Sequence, residues 1–250
     1  MDRLDEALLA DACTPRRTAR RLSVGLATDE DERRAAQRLR WRVFAEELGA
    51  RLASAEPGID QDIFDAYCEH LVVKDGAEVV GTYRLLPPQG AKRIGLYYSE
   101  TEFDLTRLRG IRSRMVELGR SCIAPEYRSG AVIALLWSGV ARYVLAHGYT
   151  YLAGCASIGV PHAASAVTQL EKHLAPPEFR VTPRRALPAR ESAASSDSTL
   201  PPLVKGYLRA GAWVCGEPAW DPEFNTADFF MLLPVARIEA RYARHFFGPG

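Results

Sequence analysis

Net charge is almost absent from this 250-residue sequence, which carries 32 basic and 31 acidic residues for a formal +1. That balance removes any whole-chain argument for nucleic-acid binding. Cysteine is sparse: Cys13, Cys68, Cys122, Cys155 and Cys215 are far apart, odd in number and form no C-x-x-C. Neither a disulfide framework nor a zinc site is indicated, and a reducing cytoplasmic compartment fits. The histidines show no H-E-x-x-H or related spacing, so no metal is expected. The opening MDRLDEALLADACTPRR is acidic early and has no long apolar core, unlike a secretory signal. Residues 130–167 are apolar on average, but Arg142, Gly148, Gly154, Gly159 and Pro161 interrupt them, so no membrane span is expected. No internal repeat is visible.

What is present fits a soluble α/β chain, with 47% apolar and 25% charged residues. Residues 1–20 form a basic segment with Arg16, Arg17 and Arg20, and Arg21 follows directly. The plain reading is a solvated tail; the sharper one is an anionic partner. Arg21–Leu26 alternates as a first strand. Thr28 reads as an N-cap, with Asp29, Glu30 and Asp31 in the first turn of a helix reaching about Leu48. Ala36, Leu39, Val43 and Ala50 form its apolar stripe. Asp60, Asp62 and Asp65 follow in a loop. HLVVKDGAEVVGTYRLLPP is a hairpin turning at Asp75-Gly76 and ended by Pro87-Pro88. Arg93–Tyr98 suggests another strand, and a short helical stretch leads to Arg112.

The stretch Met115–His147 reads as strand, polar turn and amphipathic helix. With a strand at Tyr149–Cys155 it makes a parallel βαβ unit. Its strand–helix junction offers free N–H groups and a positive dipole end to an anionic ligand. Pro161 opens a second helix. Residues 186–199 change to Ala, Ser, Pro and Arg, a mobile surface loop. Residues 200–250 form a C-terminal extension with strands at Ala212–Gly216 and Asp228–Leu233. Its last segment places Val235, Ile238, Tyr242 and Phe246 on one face, with Arg237, Arg241 and Arg244 elsewhere.

Three tempting motifs fail. His70 and Asp75 spell H-x-x-x-x-D, but along a strand they lie roughly 16 Å apart. Gly119-Arg120-Ser121 starts a nucleophile elbow, yet Ile123 stands where the second glycine is needed. Cys122, in an apolar strand, reads as buried and inert. The surviving group is Glu117, Arg120, Arg84 and the pair Asp62 and Asp65. Its plain reading is a set of structural ion pairs. Residues three apart on a regular strand face opposite sides, so Glu117 and Arg120 can share a site only if the strand bends near Leu118-Gly119.

These residues also carry a resemblance. LRWRVFAEELGA, DQDIFDAYCEHLVV, VVGTYRLL, YYSETEFDL, ELGRSC, APEYRSG, PPLVKGYLRAGAWVCGEPAWD and FNTADFFMLL occur in order from about Arg38 to Leu233. Together they resemble the GNAT-like ornithine N-acyltransferases of lyso-ornithine lipid synthesis. More distantly the chain is similar to acyl-homoserine lactone synthases, whose acidic pair, R-L-L strand and Glu-x-x-Arg fall on Asp62 and Asp65, Arg84, and Glu117 and Arg120.

The resemblance implies a GNAT-like fold, with a mixed central sheet flanked by helices over residues 21–185. It implies transfer of a long (3-hydroxy)acyl chain to the α-amine of ornithine, or to another amine such as glycine, lysine or a homoserine lactone precursor; the other alternative is a non-catalytic module that binds an acyl chain or carrier protein. Glu117 is then the expected general base and Arg120 its catalytic partner. Arg84, Asp62, Asp65 and Arg42 are expected at the substrate. Asp62 and Asp65 would either bind a second cationic group or hold the arginines in place. Ile123, Arg128, Ser129 and Gly130 are expected at the acyl donor. GNAT enzymes using acetyl-CoA show Q/R-x-x-G-x-G/A at that turn, whereas Arg128-Ser129-Gly130-Ala131-Val132 has one glycine. That favours acyl carrier protein as donor and partner, with acyl-CoA as the alternative and no further cofactor. A lipid product implies work at the inner face of a membrane, where the C-terminal amphipathic segment could lie.

Overall fold

A computed structural model describes residues 21–188 and 199–238. The basic N-terminal segment, most of the Ala/Ser-rich loop and the C-terminal amphipathic segment beyond Ile238 lie outside the described residues.

Strand β1 (Leu22–Leu26) leads into helix α1 (Glu30–Trp41). The cap is Asp29 rather than Thr28: the Asp29 carboxylate accepts from the Glu32 N–H at 2.9 Å, and the Glu32 carboxylate reaches back to Thr28. A π-helical turn, Arg42–Glu47, ends the segment. Strands β2 (Glu69–Asp75) and β3 (Glu78–Leu86) form the expected hairpin. Its two-residue loop is Gly76-Ala77, one position beyond the expected Asp75-Gly76, because Asp75 pairs with Glu78 and Gly76 takes φ +61°. Residues 93–98 are not a strand. Pro88 opens helix α2 (Pro88–Ile94), and Gly95 ends it in the left-handed conformation. Single helical turns then surround the short β4 (Phe103–Asp104).

Next come β5 (Met115–Ile123), α3 (Ala131–His147), β6 (Tyr151–Gly159) and α4 (Ala163–Leu170). The short β7 (Thr182–Pro183) pairs with β4. Helix α5 (Pro202–Ala210) was not anticipated; Pro202 at its start and Gly211 at its end are the signals that were there. β8 (Trp213–Val214), β9 (Ala219–Asp221) and β10 (Thr226–Pro234) follow among the described residues.

The main sheet runs β1-β2-β3-β5-β6-β10-β8, with β9 also on β10. Among the described strands of this sheet only β5 and β6 are parallel, as the βαβ reading requires. Strand alternation sends Gly81, Tyr83 and Leu85 to one face of β3, and Thr82 and Arg84 to the other. Helix α3 covers the first face: a Cβ on Gly81 would fall 2.4 Å from a Val132 methyl. Helix α1 serves the second face, where Arg40 and Arg84 meet the same carboxylate.

Strand β5 is irregular on both of its edges. It pairs with β6 only through Glu117↔Ala153, after which the two strands part. Against β3, its register jumps between Gly119↔Arg84 and Cys122↔Thr82, so Arg120 and Ser121 together oppose Tyr83. The anticipated bend exists, but it is a bulge at Arg120-Ser121. Arg120 itself adopts φ +51°, and Gly119 does not. A non-glycine residue held there carries strain of about 1 kcal/mol or more.

Where the strands part they first come very close. A Cβ on Gly154 would lie 2.3 Å from the Leu118 carbonyl oxygen. Gly154→Ala should force backbone apart at this point and cost about 1–3 kcal/mol. A lowered midpoint in urea denaturation is the readout.

Candidate active site

The parting of β5 from β6 opens a cavity of about 680 Å³. Its wall is mostly apolar, with Phe44, Trp137, Val140, Leu152, Val204 and Met231 among the lining side chains. Helix α5 closes one side, and its Tyr207 stacks on Trp137 of α3 at 5.5 Å. Leu118, Gly119, Arg120 and Ser121 contribute the β5 edge that has lost its β6 partner.

A second cavity, of about 530 Å³, is polar and charged. It is lined by Asp60, Asp62, Glu102, Arg184, Arg185 and Glu223, among others. Three residues line both cavities: Tyr98, Arg120 and Asp221. Arg120 is held there by its bulge, with its guanidinium 5.2 Å from the Tyr98 ring and 4.9 Å from that of Phe224. An apolar slot and a charged pocket therefore share one arginine.

Behind that arginine is a buried ionic cluster. The Asp65 carboxylate, 1% exposed, accepts from Arg40, Arg84, Gln37 and the Asp62 N–H. Burial alone would raise the Asp65 carboxyl, but Arg40 and Arg84 overcome this and hold it below the usual carboxylate range. Asp60 accepts from Arg40 Nε at 2.8 Å and lies 3.4 Å from Arg120 Nε. Asp62 accepts from Arg84 at 2.7 Å and approaches Arg120 at 3.5 Å. These contacts favour the second of the two roles open to Asp62 and Asp65, holding arginines in place. Burial also keeps His70 neutral, with its pKa lowered to about 4.

Glu117 is 4% exposed and lines neither cavity. Its carboxylate accepts from the N–H groups of Tyr98 (2.6 Å) and Ser99 (2.8 Å) and from the Ser99 hydroxyl. Burial raises its pKa, and those hydrogen bonds oppose the rise. The same Ser99 hydroxyl is 3.4 Å from the Cys155 sulfur, which lines the larger cavity. The bulge thus does not bring Glu117 and Arg120 face to face. It leaves them connected through the Tyr98-Ser99 turn.

Arg42 requires correction. It is exposed and lines neither cavity, whereas Arg40, two residues earlier, is fully buried in the cluster. The helical stripe through Ala36 and Val43 passes over position 40, not 42, so period alone could have chosen correctly. Ile123, Arg128, Ser129 and Gly130 form the β5–α3 turn and do not line either cavity. Arg128 donates to the Ile123 carbonyl at 3.1 Å and clasps Glu47 at 2.5 and 2.6 Å. Gly130 takes φ +101° as the N-cap of α3.

Sequence reasoning passed over a second acidic group. Glu102, Cys155 and Asp228 come from three separate elements, yet their ligating atoms lie within 4.8 Å of one another. No spacing rule could have joined them. Burial, reinforced by Asp228 and Asp221, raises the Glu102 carboxyl to about 9. Burial likewise raises Asp228 to about 6. The folded protein therefore retains protons here that the unfolded chain has released, so stability should fall as pH rises from about 4.5 to about 9. Glu102→Gln should flatten that slope, as read from denaturation midpoints across the window.

Residues 39–138 match a family model described as an acetyltransferase (GNAT) domain. The chain is 39% identical over 251 residues to an L-ornithine N(alpha)-acyltransferase of Brucella abortus, covering 90% of this chain and 88% of that protein. A protein of the same name from Rhodobacter capsulatus is 40% identical over 240 residues, with 88% and 92% covered. Among solved structures, the CoA-dependent acyl-homoserine lactone synthase BjaI with MTA aligns at TM-score 0.56 and 16% identity, covering 93% of this chain and 92% of that one. At that identity the likeness is one of fold, and it bears out the GNAT-like mixed sheet. No helix among the described residues is long and apolar enough to cross a membrane. With identity near 40% along almost the whole chain, and with an apolar slot meeting a charged pocket at the parted strands, this protein is an acyltransferase and belongs to the L-ornithine N(alpha)-acyltransferase family.

Proposed function

We propose that the protein transfers a long acyl chain, 3-hydroxylated in the expected substrate, from a carrier-protein thioester to the α-amine of ornithine. The observation that carries this reading is the meeting of the two cavities at Arg120, Tyr98 and Asp221. The larger, apolar cavity suits a fatty chain, and the smaller suits a small zwitterion. The thioester then sits where β5 has left β6, and free β5 N–H groups there can hold its oxyanion.

Arg120 grips the acceptor carboxylate, and Arg84 supports it through the shared Asp62. The amine loses its proton to Glu117 through the Ser99 hydroxyl and an intervening water, then attacks the thioester carbon directly. The carrier's thiolate leaves and takes up the surplus proton of the new amide nitrogen, so a free thiol departs and no covalent enzyme intermediate forms. The Ile123–Gly130 turn, with the N-terminus of α3 behind it, receives the pantetheine arm. Delivery of a lipid product places the reaction at the inner face of a membrane.

The test is an amine panel. Purified protein, a 3-hydroxyacyl carrier protein or the matching acyl-CoA, and ornithine, lysine, glycine or a homoserine lactone precursor are mixed. Free thiol and product mass are then followed. Ornithine with the carrier-protein donor should give the fastest thiol release and an N-acyl product. If none of these amines elicits thiol release, the reading is removed.

A further inference from the structure

Two sets of carboxylates stand beside the two cavities. Asp60, Asp62 and Asp65 are each matched to a buried arginine. Glu102, Asp221 and Asp228 are not: no basic side chain among the described residues ion-pairs with any of them. Asp228 is 3% exposed and accepts from the Thr226 hydroxyl, while Asp221 caps the N–H groups of Glu223 and Phe224. Both Glu102 oxygens are shut off from solvent and accept no hydrogen bond of ordinary geometry. The Cys155 thiol, the Tyr98 side chain and the Asp228 carboxyl approach that carboxyl without supplying a positive charge. Buried acidic groups with no cation beside them are expensive, and such a set calls for one.

Their position says what the partner is. Glu102 lines the charged cavity, Asp228 the apolar one, and Asp221 both. The group therefore stands at the junction where the acceptor meets the acyl chain. An amino acid with one amine brings one ammonium, and that group must become neutral to react. It leaves the wall without a cation. A diamino acid brings a second ammonium that stays charged throughout the reaction.

We propose that Glu102, Asp221 and Asp228 receive the second ammonium of a diamino-acid acceptor, so that its α-amine alone is presented to the thioester. This rests on the acyl-transfer reading above and adds the residues that choose the amine. Arg120, Arg184 and Arg185 line the same cavity and give the acceptor's carboxylate a cationic side to face. Acceptor charges and wall charges then match end to end. Arrival of the cation also drives off the proton that Glu102 and Asp228 hold between them, so binding of a diamino acid releases protons to solvent.

The experiment compares ornithine with norvaline, which has the same carbon chain without the second amine. The full-length protein is assayed with a 3-hydroxyacyl carrier protein. Wild type should favour ornithine in kcat/KM by roughly tenfold or more. Glu102→Gln should collapse that ratio toward one, chiefly through a higher KM for ornithine. Asp228→Asn should do the same from a different strand, so the result does not hang on one variant folding. Wild-type calorimetry in buffers of different ionisation enthalpy should show proton release with ornithine and not with norvaline.

A wild-type ratio near one, or a ratio left intact in both folded variants, overturns the inference while acyl transfer stands. Activity lost to EDTA and restored by a divalent ion would assign the wall to a metal and also overturn it. Failure of every amine to elicit thiol release overturns the acyl-transfer reading, and this inference with it.

Discussion

Glu117→Gln should lower kcat by about a hundredfold or more, the usual loss when a positioned general base is removed. The variant should remain folded, with a modest loss of stability. The Glu117 carboxylate faces three donors, and an amide can satisfy them with only one end. Leaving a buried donor opposite an amide N–H₂ costs about 1–3 kcal/mol. The pH profile separates a base from a residue that merely holds the Tyr98-Ser99 turn. Burial raises the Glu117 pKa, and a base works only when unprotonated. Wild-type kcat/KM should therefore fall as pH drops through that raised value, and the variant should lose this acid limb. A variant that is slow but keeps the limb would make Glu117 a positioning residue. Normal turnover would remove it from the mechanism altogether.

Asp65→Ala should be the most damaging single change to stability. It strips a common acceptor from Arg40 and Arg84, which are 0% and 4% exposed. Breaking a buried ion pair from one side costs about 3–5 kcal/mol, because the remaining charge stays buried. In a chain of this size that corresponds to a drop in melting temperature on the order of 6–20 °C. Replacing Arg40, Arg84 and Asp65 together with apolar residues of similar volume should recover much of the stability. It should not recover activity, because Arg84 and Asp62 also position Arg120. Thermal melts and thiol-release rates on the same preparations separate the two contributions. Equal recovery of both would mean that the cluster serves packing alone.

Glu117 and Asp65 were visible in the sequence as members of one set, yet their separate roles were not. Asp62, Asp65, Arg84, Glu117 and Arg120 all lie within or beside the structure that supports the two cavities. Their likeness to a known arrangement of residue types is a property of order along the chain, and order is what a sequence records. Which of them touches a cavity depends on side-chain direction. Direction was set by a bulge two residues beyond the expected bend.

Local periodicity and punctuation determined much by themselves. The β2–β3 hairpin, β5, α3 and β6 follow from alternation, from Gly and Pro at element ends, and from the βαβ rule, all of which act over a few residues. The parallel pairing of β5 with β6 was legible in the chain alone, whereas the GNAT-like class came from the resemblance of ordered segments to a known family. Helix α5 was missed because its apolar face is short and its worth comes from Tyr207 stacking on Trp137 far away in sequence. Arg40 was passed over for Arg42 although the helical period separated them. Only the tertiary structure could decide the rest. Glu102, Cys155 and Asp228 are more than 50 residues apart along the chain, and the parting of β5 from β6 depends on how far a ladder of hydrogen bonds continues. Burial shifts charge states and cavities admit substrates only after distant segments have packed, so neither is written in any one stretch of residues.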